Sequence, residues 1–121
     1  MKIFGHPWIE SETFYPITSI GDIKKTPTNS ILELQNLSSS LSLAYYCRDN
    51  KLSYVLNINS LKEAMFANLL EATYLLTTPS IAKELMPIAQ HYLFDTQVIA
   101  KIDDESEIEV MARFGVDAVS F

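Results

Sequence analysis

The sequence predicts a single α/β domain with a mainly parallel sheet of about five or six strands and helices on both faces. Short apolar segments rich in strand formers alternate with segments of helical periodicity through residues 52–121. Strands without polar alternation are typical of parallel sheets that are covered by helices. The chain has 121 residues, of which 48% are apolar and 20% charged, and this composition fits one globular domain with its own core.

The second half of the chain contains closely spaced regular elements. We predict strands over 52–58, 73–78, 96–102 and 116–121. The first intervening helix begins with a capping box, Ser60-x-x-Glu63. The next begins with Thr78 as the N-cap and Pro79 at its first position, and the third ends at Gly115, which suits a left-handed cap. These signals predict successive strand–helix units.

The first half is less regular. We predict strands over 1–5 and 30–34, a short helix that Ser19 caps and that ends before Pro27, and a longer helix that ends at Asn50. No change of composition marks a boundary, so the whole chain is predicted to be one domain.

An internal similarity links residues 58–75 with residues 102–119. Both segments run from a strand end through a polar cap and a glutamate, Glu63 or Glu107, into a helix and then a strand. This pattern resembles the repeating units of (β/α) barrels. Since a full barrel needs about 250 residues, the alternative architecture is a half (β/α) barrel that closes by dimerising.

The charge distribution argues against nucleic-acid binding. The net charge is −6, and residues 61–121 carry ten acidic but only four basic side chains. Such a surface repels phosphate backbones, and no basic patch with interleaved aromatic residues offsets it. We therefore predict no nucleic-acid partner.

Compartment and cofactor use follow from absent signals. No apolar run approaches the roughly 18 residues of a membrane helix, and the N-terminus has no signal-peptide pattern. The single cysteine, Cys47, cannot form an internal disulfide, which fits a reducing cytoplasm. With three glycines and no zinc spacing or nucleophile elbow, no cofactor is predicted. We expect a cytoplasmic protein without a membrane partner.

A ligand site in such a fold is expected beyond the carboxyl ends of the strands. The predicted strand ends place the following residues there: Gly5 and His6, Leu34 and Gln35, Asn57 and Asn59, Thr77 and Thr78, and Lys101 with Asp103 and Asp104. Asn57 and Thr78 are the candidate groups for orienting a ligand.

The segment "AKIDDESE" resembles the Lys-Ile-Glu strand of the pyruvate kinase family, although it has Asp where that family has Glu. The resemblance implies that Lys101 steadies a developing oxyanion and that Asp103 holds Mg²⁺. The alternative, which we favour, is that Lys101 is a solvated strand-end residue and that the acids complement a helix dipole. We therefore predict no metal site, with Asp103 as the one candidate ligand.

The segment "GHPW" follows the first predicted strand directly. One interpretation makes His6 a general base and Trp8 a stacking wall for a ligand. The other, which we favour, is that Pro7 ends strand pairing and that Trp8 folds back as a hydrophobic lid over the sheet edge. Residues 14–17 would extend the same lid.

Three longer segments, "FGHPWI", "KKTPTNSI" and "YLFDTQVIAKIDDESEIE", resemble a group of small uncharacterised proteins of epsilon-class proteobacteria. The resemblance covers most of the chain. It implies a bacterial cytoplasmic origin and carries no activity.

The sequence contains no complete catalytic constellation, so the leading hypothesis is a non-enzymatic domain that acts through protein contacts. The alternative is a small-molecule-binding domain or small enzyme that uses Lys101, Asp103 and His6. A pocket at the strand ends would favour the alternative. We also expect a homodimer, held partly by residues 116–121, because this last strand is apolar on both faces and, if it lies at an edge, invites another chain. The alternative is that the strand is internal, flanked by other strands and covered by the helices.

Overall fold

The computed structural model describes residues 1–121. One sheet contains the strands Lys2–Phe4 (β1), Phe14–Pro16 (β2), Ile31–Asn36 (β3), Tyr54–Asn57 (β4), Tyr74–Thr77 (β5), Gln97–Lys101 (β6) and Ala118–Ser120 (β7). The helices are Ile20–Ile23 (α1), Leu37–Asp49 (α2), Leu61–Leu69 (α3), Pro79–His91 (α4) and Ser106–Arg113 (α5).

All seven strands are parallel, in the order β1-β7-β6-β5-β4-β3-β2. From β3 to β7 each strand lies beside the next one in the chain, and a helix connects each pair. Such crossovers are right-handed. Because the strands from β3 to β7 follow one another in one direction across the sheet, the helices that connect them lie on one side of it. The sheet curls away from them into a half-barrel.

Two apolar clusters occupy the two sides of this sheet. The larger contains residues of helices α2 to α5, such as Leu43 and Leu85, with outward strand residues such as Leu56. The smaller contains strand residues only: Phe4, Ile31, Val55, Tyr74, Ile99 and Ala118. The helices thus cover the convex face, while the strands fill the concave face with their own side chains.

The predicted α/β class and parallel sheet are confirmed. Of the two architectures predicted, the half (β/α) barrel describes the packing of helices on the convex face. The sheet has seven strands rather than five or six because residues 14–16 form β2. The expectation that they belong to a lid was wrong, since Phe14 packs against Phe4 with ring centroids 4.9 Å apart.

The internal similarity is reproduced in the capping of α3 and α5. The Glu63 carboxylate accepts a hydrogen bond from the backbone N–H of Asn59 at 3.1 Å. Glu107 accepts from the backbone N–H of Asp103 at 3.0 Å in the same way. The two segments are therefore equivalent strand–helix units of one half-barrel. The predicted N-caps Ser19, Ser60 and Thr78 each accept the expected backbone hydrogen bond.

The four longer helices end in the same left-handed turn. The residues with positive φ are Lys51, Glu71, Leu93 and Gly115. In each case the backbone N–H of the next residue donates to a carbonyl of the last helical turn, as in Phe94 to Ala89 and Val116 to Met111. Only α5 has the glycine that this conformation favours.

The last strand lies inside the sheet, between β1 and β6. Val116, Ala118 and Val119 are buried. Of the two positions that the sequence left open for residues 116–121, the structure has the internal one. The edge position was therefore wrong, and the reason for placing a dimer interface at this strand no longer holds. The physical reason is that the first strand, β1, pairs with the outer side of β7 and takes up its backbone hydrogen-bonding groups.

None of the helices combines the length and apolar character needed to cross a bilayer.

Candidate functional site

A cavity of about 630 Å³ opens at the carboxyl ends of the strands. Four of the six candidate site residues line it, namely Asn57, Thr78, Lys101 and Asp103, and so do the strand-end residues Asn59 and Thr77. They come from the ends of three different strands, which the parallel order brings to one edge. The remaining two candidates, His6 and Trp8, do not line it.

Four strands each contribute one inward polar side chain to this cavity. Glu33, Asn57, Lys101 and Ser120 line it, and each stands two residues after an apolar residue of the inner cluster: Ile31, Val55, Ile99 and Ala118. Because alternate residues of a strand share a face, all four side chains belong to the concave face. The inward surface therefore changes from apolar to polar at its carboxyl end.

Glu33 and Asn57 form a connected pair on adjacent strands. Asn57 Nδ2 donates to Glu33 Oε2 at 3.1 Å and to the Leu34 carbonyl at 2.9 Å. Both amide protons of Asn57 are thereby used, which leaves its Oδ1 as an acceptor. Glu33 is half-buried and makes no ion pair, so one amide donor is its only side-chain partner.

Lys101 lies on the opposite part of the curled sheet. Its Nζ donates to the backbone oxygen of Phe121 at 2.6 Å, and no Asp or Glu side chain lies within ion-pair distance. An ammonium has three donors, so two remain for solvent or a ligand. Lys101 is exposed, as its position at the mouth of the cavity requires.

Apolar side chains form much of the remaining wall, including Phe14, Leu76 and Phe121. The helices α3 and α4 begin at the rim. Thr78 uses its Oγ1 to accept a hydrogen bond from the backbone N–H of Ile81 at 3.3 Å, so its side chain caps α4.

One buried side-chain oxygen beside the cavity, Thr77 Oγ1, has no hydrogen-bond partner. The alternation along β5 turns Thr77 toward the helices, because its neighbour Leu76 packs against the inner cluster. Its hydroxyl therefore does not belong to the inward polar set.

The acidic segment after β6 mainly caps α5. Asp104 Oδ1 accepts from the backbone N–H of Ser106 at 2.9 Å, and Glu107 accepts from the N–H groups of Asp103 and Asp104. No group of three or more His, Cys, Asp or Glu side chains comes together in the structure. Asp103, to which the resemblance assigns Mg²⁺, therefore has no cluster of such side chains around it.

His6 is a structural connector in this fold. Its Nδ1 accepts from the backbone N–H of Trp8 at 3.1 Å, and its Nε2 contacts the Glu105 carboxylate. Both ring nitrogens are thus engaged, which leaves no free base. The ring lies 5.5 Å from that of Phe121, centroid to centroid, so His6 supports the cavity wall from behind.

Trp8 is 88% exposed. The prediction that it folds back as a lid was therefore wrong. The hydrogen bond from its own N–H to His6 holds residues 6–8 in a tight turn, and this turn directs the indole into solvent. Nor does Trp8 form a wall of the cavity.

Sequence reasoning missed Glu33 and Ser120. A signal for both exists: each is the polar residue at the inward position after an apolar one, in "ILELQ" and "DAVSF". Counting two residues on from the last inward apolar residue finds them, as it finds Asn57 and Lys101.

A second cavity, of about 510 Å³, follows the free edge of β1. Its lining comes from Met1–Phe4 and Ile9–Glu12 alone, so it is a groove between one strand and one loop. The strand-end cavity differs because polar groups from several strands converge in it. Comparison of the chain with protein-family models and with curated proteins finds no match.

Proposed function

We propose that this protein is a small-molecule-binding domain whose site is the strand-end cavity. The observation that carries the proposal is the convergence of Glu33, Asn57, Lys101 and Ser120 on one concave surface. Of the two functions that the sequence left open, a pocket at this edge favours ligand binding.

The physical argument concerns unused hydrogen-bonding capacity in a shaped site. Binding pockets of about 300–1,000 Å³ combine apolar walls with a few convergent polar groups. This cavity has that size, and apolar residues such as Phe14 and Leu76 line it beside the polar groups. Glu33 is half-buried and accepts one amide hydrogen bond, so its carboxylate has further acceptor capacity. A ligand that supplies donors would use that capacity.

A thermal-shift screen of small metabolites tests the proposal. A ligand present at 100 times its dissociation constant stabilises the fold by about 2.7 kcal/mol. We expect this shift in the wild type and in Lys62→Met, which removes an exposed lysine of α3 outside the cavity. We expect it to disappear in Lys101→Met. A screen without a stabilising compound, or equal shifts in both variants, would refute the proposal.

A second candidate function is association with another protein, including a second copy of the chain. The observation that favours it is the exposure of large apolar side chains: Trp8 is 88%, Leu93 82% and Leu69 72% exposed. A homodimer remains a proposal without an assigned interface. Light scattering over a dilution series tests it, and a monomer at every concentration would reject it.

We further propose a bacterial cytoplasmic location. Cys47 is the one cysteine, and it is buried and unpaired. A reduced thiol is the state that the cytoplasm maintains, and the proposal rests on this and on the sequence resemblance.

A further inference from the structure

We propose that the ligand of the strand-end cavity is zwitterionic, with an amine that binds at Glu33, an acid group that binds at Lys101 and an apolar spacer between them. This inference rests on the proposed function and names the chemical class of the ligand.

The first argument is that two opposite charges line one cavity without pairing. Glu33 and Lys101 both line it, yet neither makes an ion pair with any side chain. Both charges are therefore available to a ligand. A ligand with one charge only would leave one of the two without a partner.

The second argument is the distance between them. Glu33 belongs to β3 and Lys101 to β6, and β4 and β5 lie between. Neighbouring strands are about 4.8 Å apart, so the two backbones are separated by roughly 14 Å along the sheet, and by less across the curl. This separation is an upper limit for the ligand, because both side chains extend into the cavity, and a ligand with several carbon atoms between its two charges lies within it.

The third argument is the chemistry of the wall between them. Leu76 and Phe14 line the same cavity, and Leu76 belongs to β5, which lies between the strands of the two charged residues. An alkyl or aromatic spacer would bury against these side chains at about 25 cal/mol per Å². Both amide protons of Asn57 Nδ2 are used. Its Oδ1 is therefore the atom that can accept a second proton of the amine.

The net charge of the cavity lining favours a ligand that carries an amine. Asp103 also lines the cavity, so its lining has two carboxylates and one ammonium. A purely anionic ligand would meet this excess of negative charge, and the amine is the end that the site needs more.

Matched probes test the inference. ε-Aminocaproate has both charges, caproate has the acid alone, hexylamine has the amine alone, and glycine has both charges without the spacer. We expect ε-aminocaproate to bind most tightly by calorimetry, by about tenfold or more over each of the others, since each charge-assisted hydrogen bond contributes about 1.5–3 kcal/mol. The comparison needs only the wild type, so it does not depend on the folding of any variant.

Two variants then assign the ends. Glu33→Gln keeps an acceptor for Asn57 and should lower the affinity for ε-aminocaproate and hexylamine about tenfold while leaving caproate unchanged. Lys101→Gln should lower the affinity for ε-aminocaproate and caproate about tenfold while leaving hexylamine unchanged. Caproate or hexylamine binding as tightly as ε-aminocaproate, or no binding by any of the four, would overturn the inference. The proposed function would survive that result if the wider screen found a ligand that Lys101→Met loses.

Discussion

The concave face of the half-barrel has two levels with opposite chemistry. The lower level contains buried apolar residues such as Ile31, Val55 and Ile99. The upper level, two residues further along the same strands, contains Glu33, Asn57 and Lys101. One pleat places both sets on one face, yet the first set packs against itself and the second surrounds an open cavity.

The difference teaches which residues stabilise the fold and which are available for function. Lower-level side chains are fully removed from water, so shortening them leaves a void in a packed interior. Upper-level side chains make few contacts and retain unused hydrogen-bonding capacity. Substitutions two residues apart on one strand should therefore have quite different effects on the stability of the fold.

The largest effect is expected for Ile99→Ala. Ile99 is fully buried, and truncation of a buried isoleucine costs about 2–5 kcal/mol because a cavity remains. Lys101→Met, two residues further on β6, should change the free energy of unfolding by no more than about 0.5 kcal/mol. Urea denaturation of the two variants measures both values. Similar losses in both would show that the mouth is part of the structural core, and the comparison would fail.

The second prediction uses a titratable group of the packed interior. Burial raises the pKa of Cys47 from 9.0 to about 11. Between these values the folded protein keeps a proton that the unfolded chain releases, so stability falls as the pH rises through this window. The expected loss is about 2–3 kcal/mol between pH 9 and pH 11.

Cys47→Ala is the control for that titration. It should remove the part of the decline that begins near pH 9. A decline above pH 10 should remain, because burial also raises the pKa of Tyr54 from its ordinary value of 10.0. If denaturation curves of wild type and variant fall in parallel from pH 9 onward, the thiol is not responsible.

The third prediction concerns the opposite end of the half-barrel, where the helices terminate. Leu93 has φ of 54°, a backbone conformation that is strained for a residue with a side chain. Its side chain is 82% exposed, so packing does not compensate the strain. Leu93→Gly should stabilise the fold by about 0.5–1 kcal/mol, because glycine adopts this conformation freely. Gly115→Ala, at the equivalent turn after α5, should destabilise it by about 1 kcal/mol.

Neither of these two substitutions should alter ligand binding, since both lie away from the cavity lining. Destabilisation by Leu93→Gly in urea denaturation would show that the turn owes its conformation to contacts of the leucine side chain.

The regular part of the fold could be predicted because each signal acts locally. Caps at Ser60 and Thr78 and the apolar strands of the second half appear in the sequence where the structure has them. β2 was missed because it has three residues, one of them Pro16, and it exists only through pairing with β3. The position of β7 inside the sheet could not be predicted either, because it depends on the pairing of the first strand, β1, with the last.

The location of the candidate site, at the carboxyl ends of the strands, could be predicted. The side-chain contacts within the site could not. Asn57 and Lys101 were found as strand-end residues, whereas Glu33 lies within an apolar strand and gives no terminal signal. Roles that depend on orientation were less accessible. The contact of His6 with Glu105 joins residues 99 positions apart in the chain, and only the folded geometry shows it.

An amide NMR titration with ε-aminocaproate tests the central claim most directly, because it reports where binding occurs. We predict saturable shifts of the Asn57 side-chain amide and of the backbone signals of Lys101 and Ser120, with little change at Leu93 or Gly115. Shifts confined to the convex face or to the helix ends, or no saturable shift at the upper level, would contradict the assignment of this cavity as the ligand site.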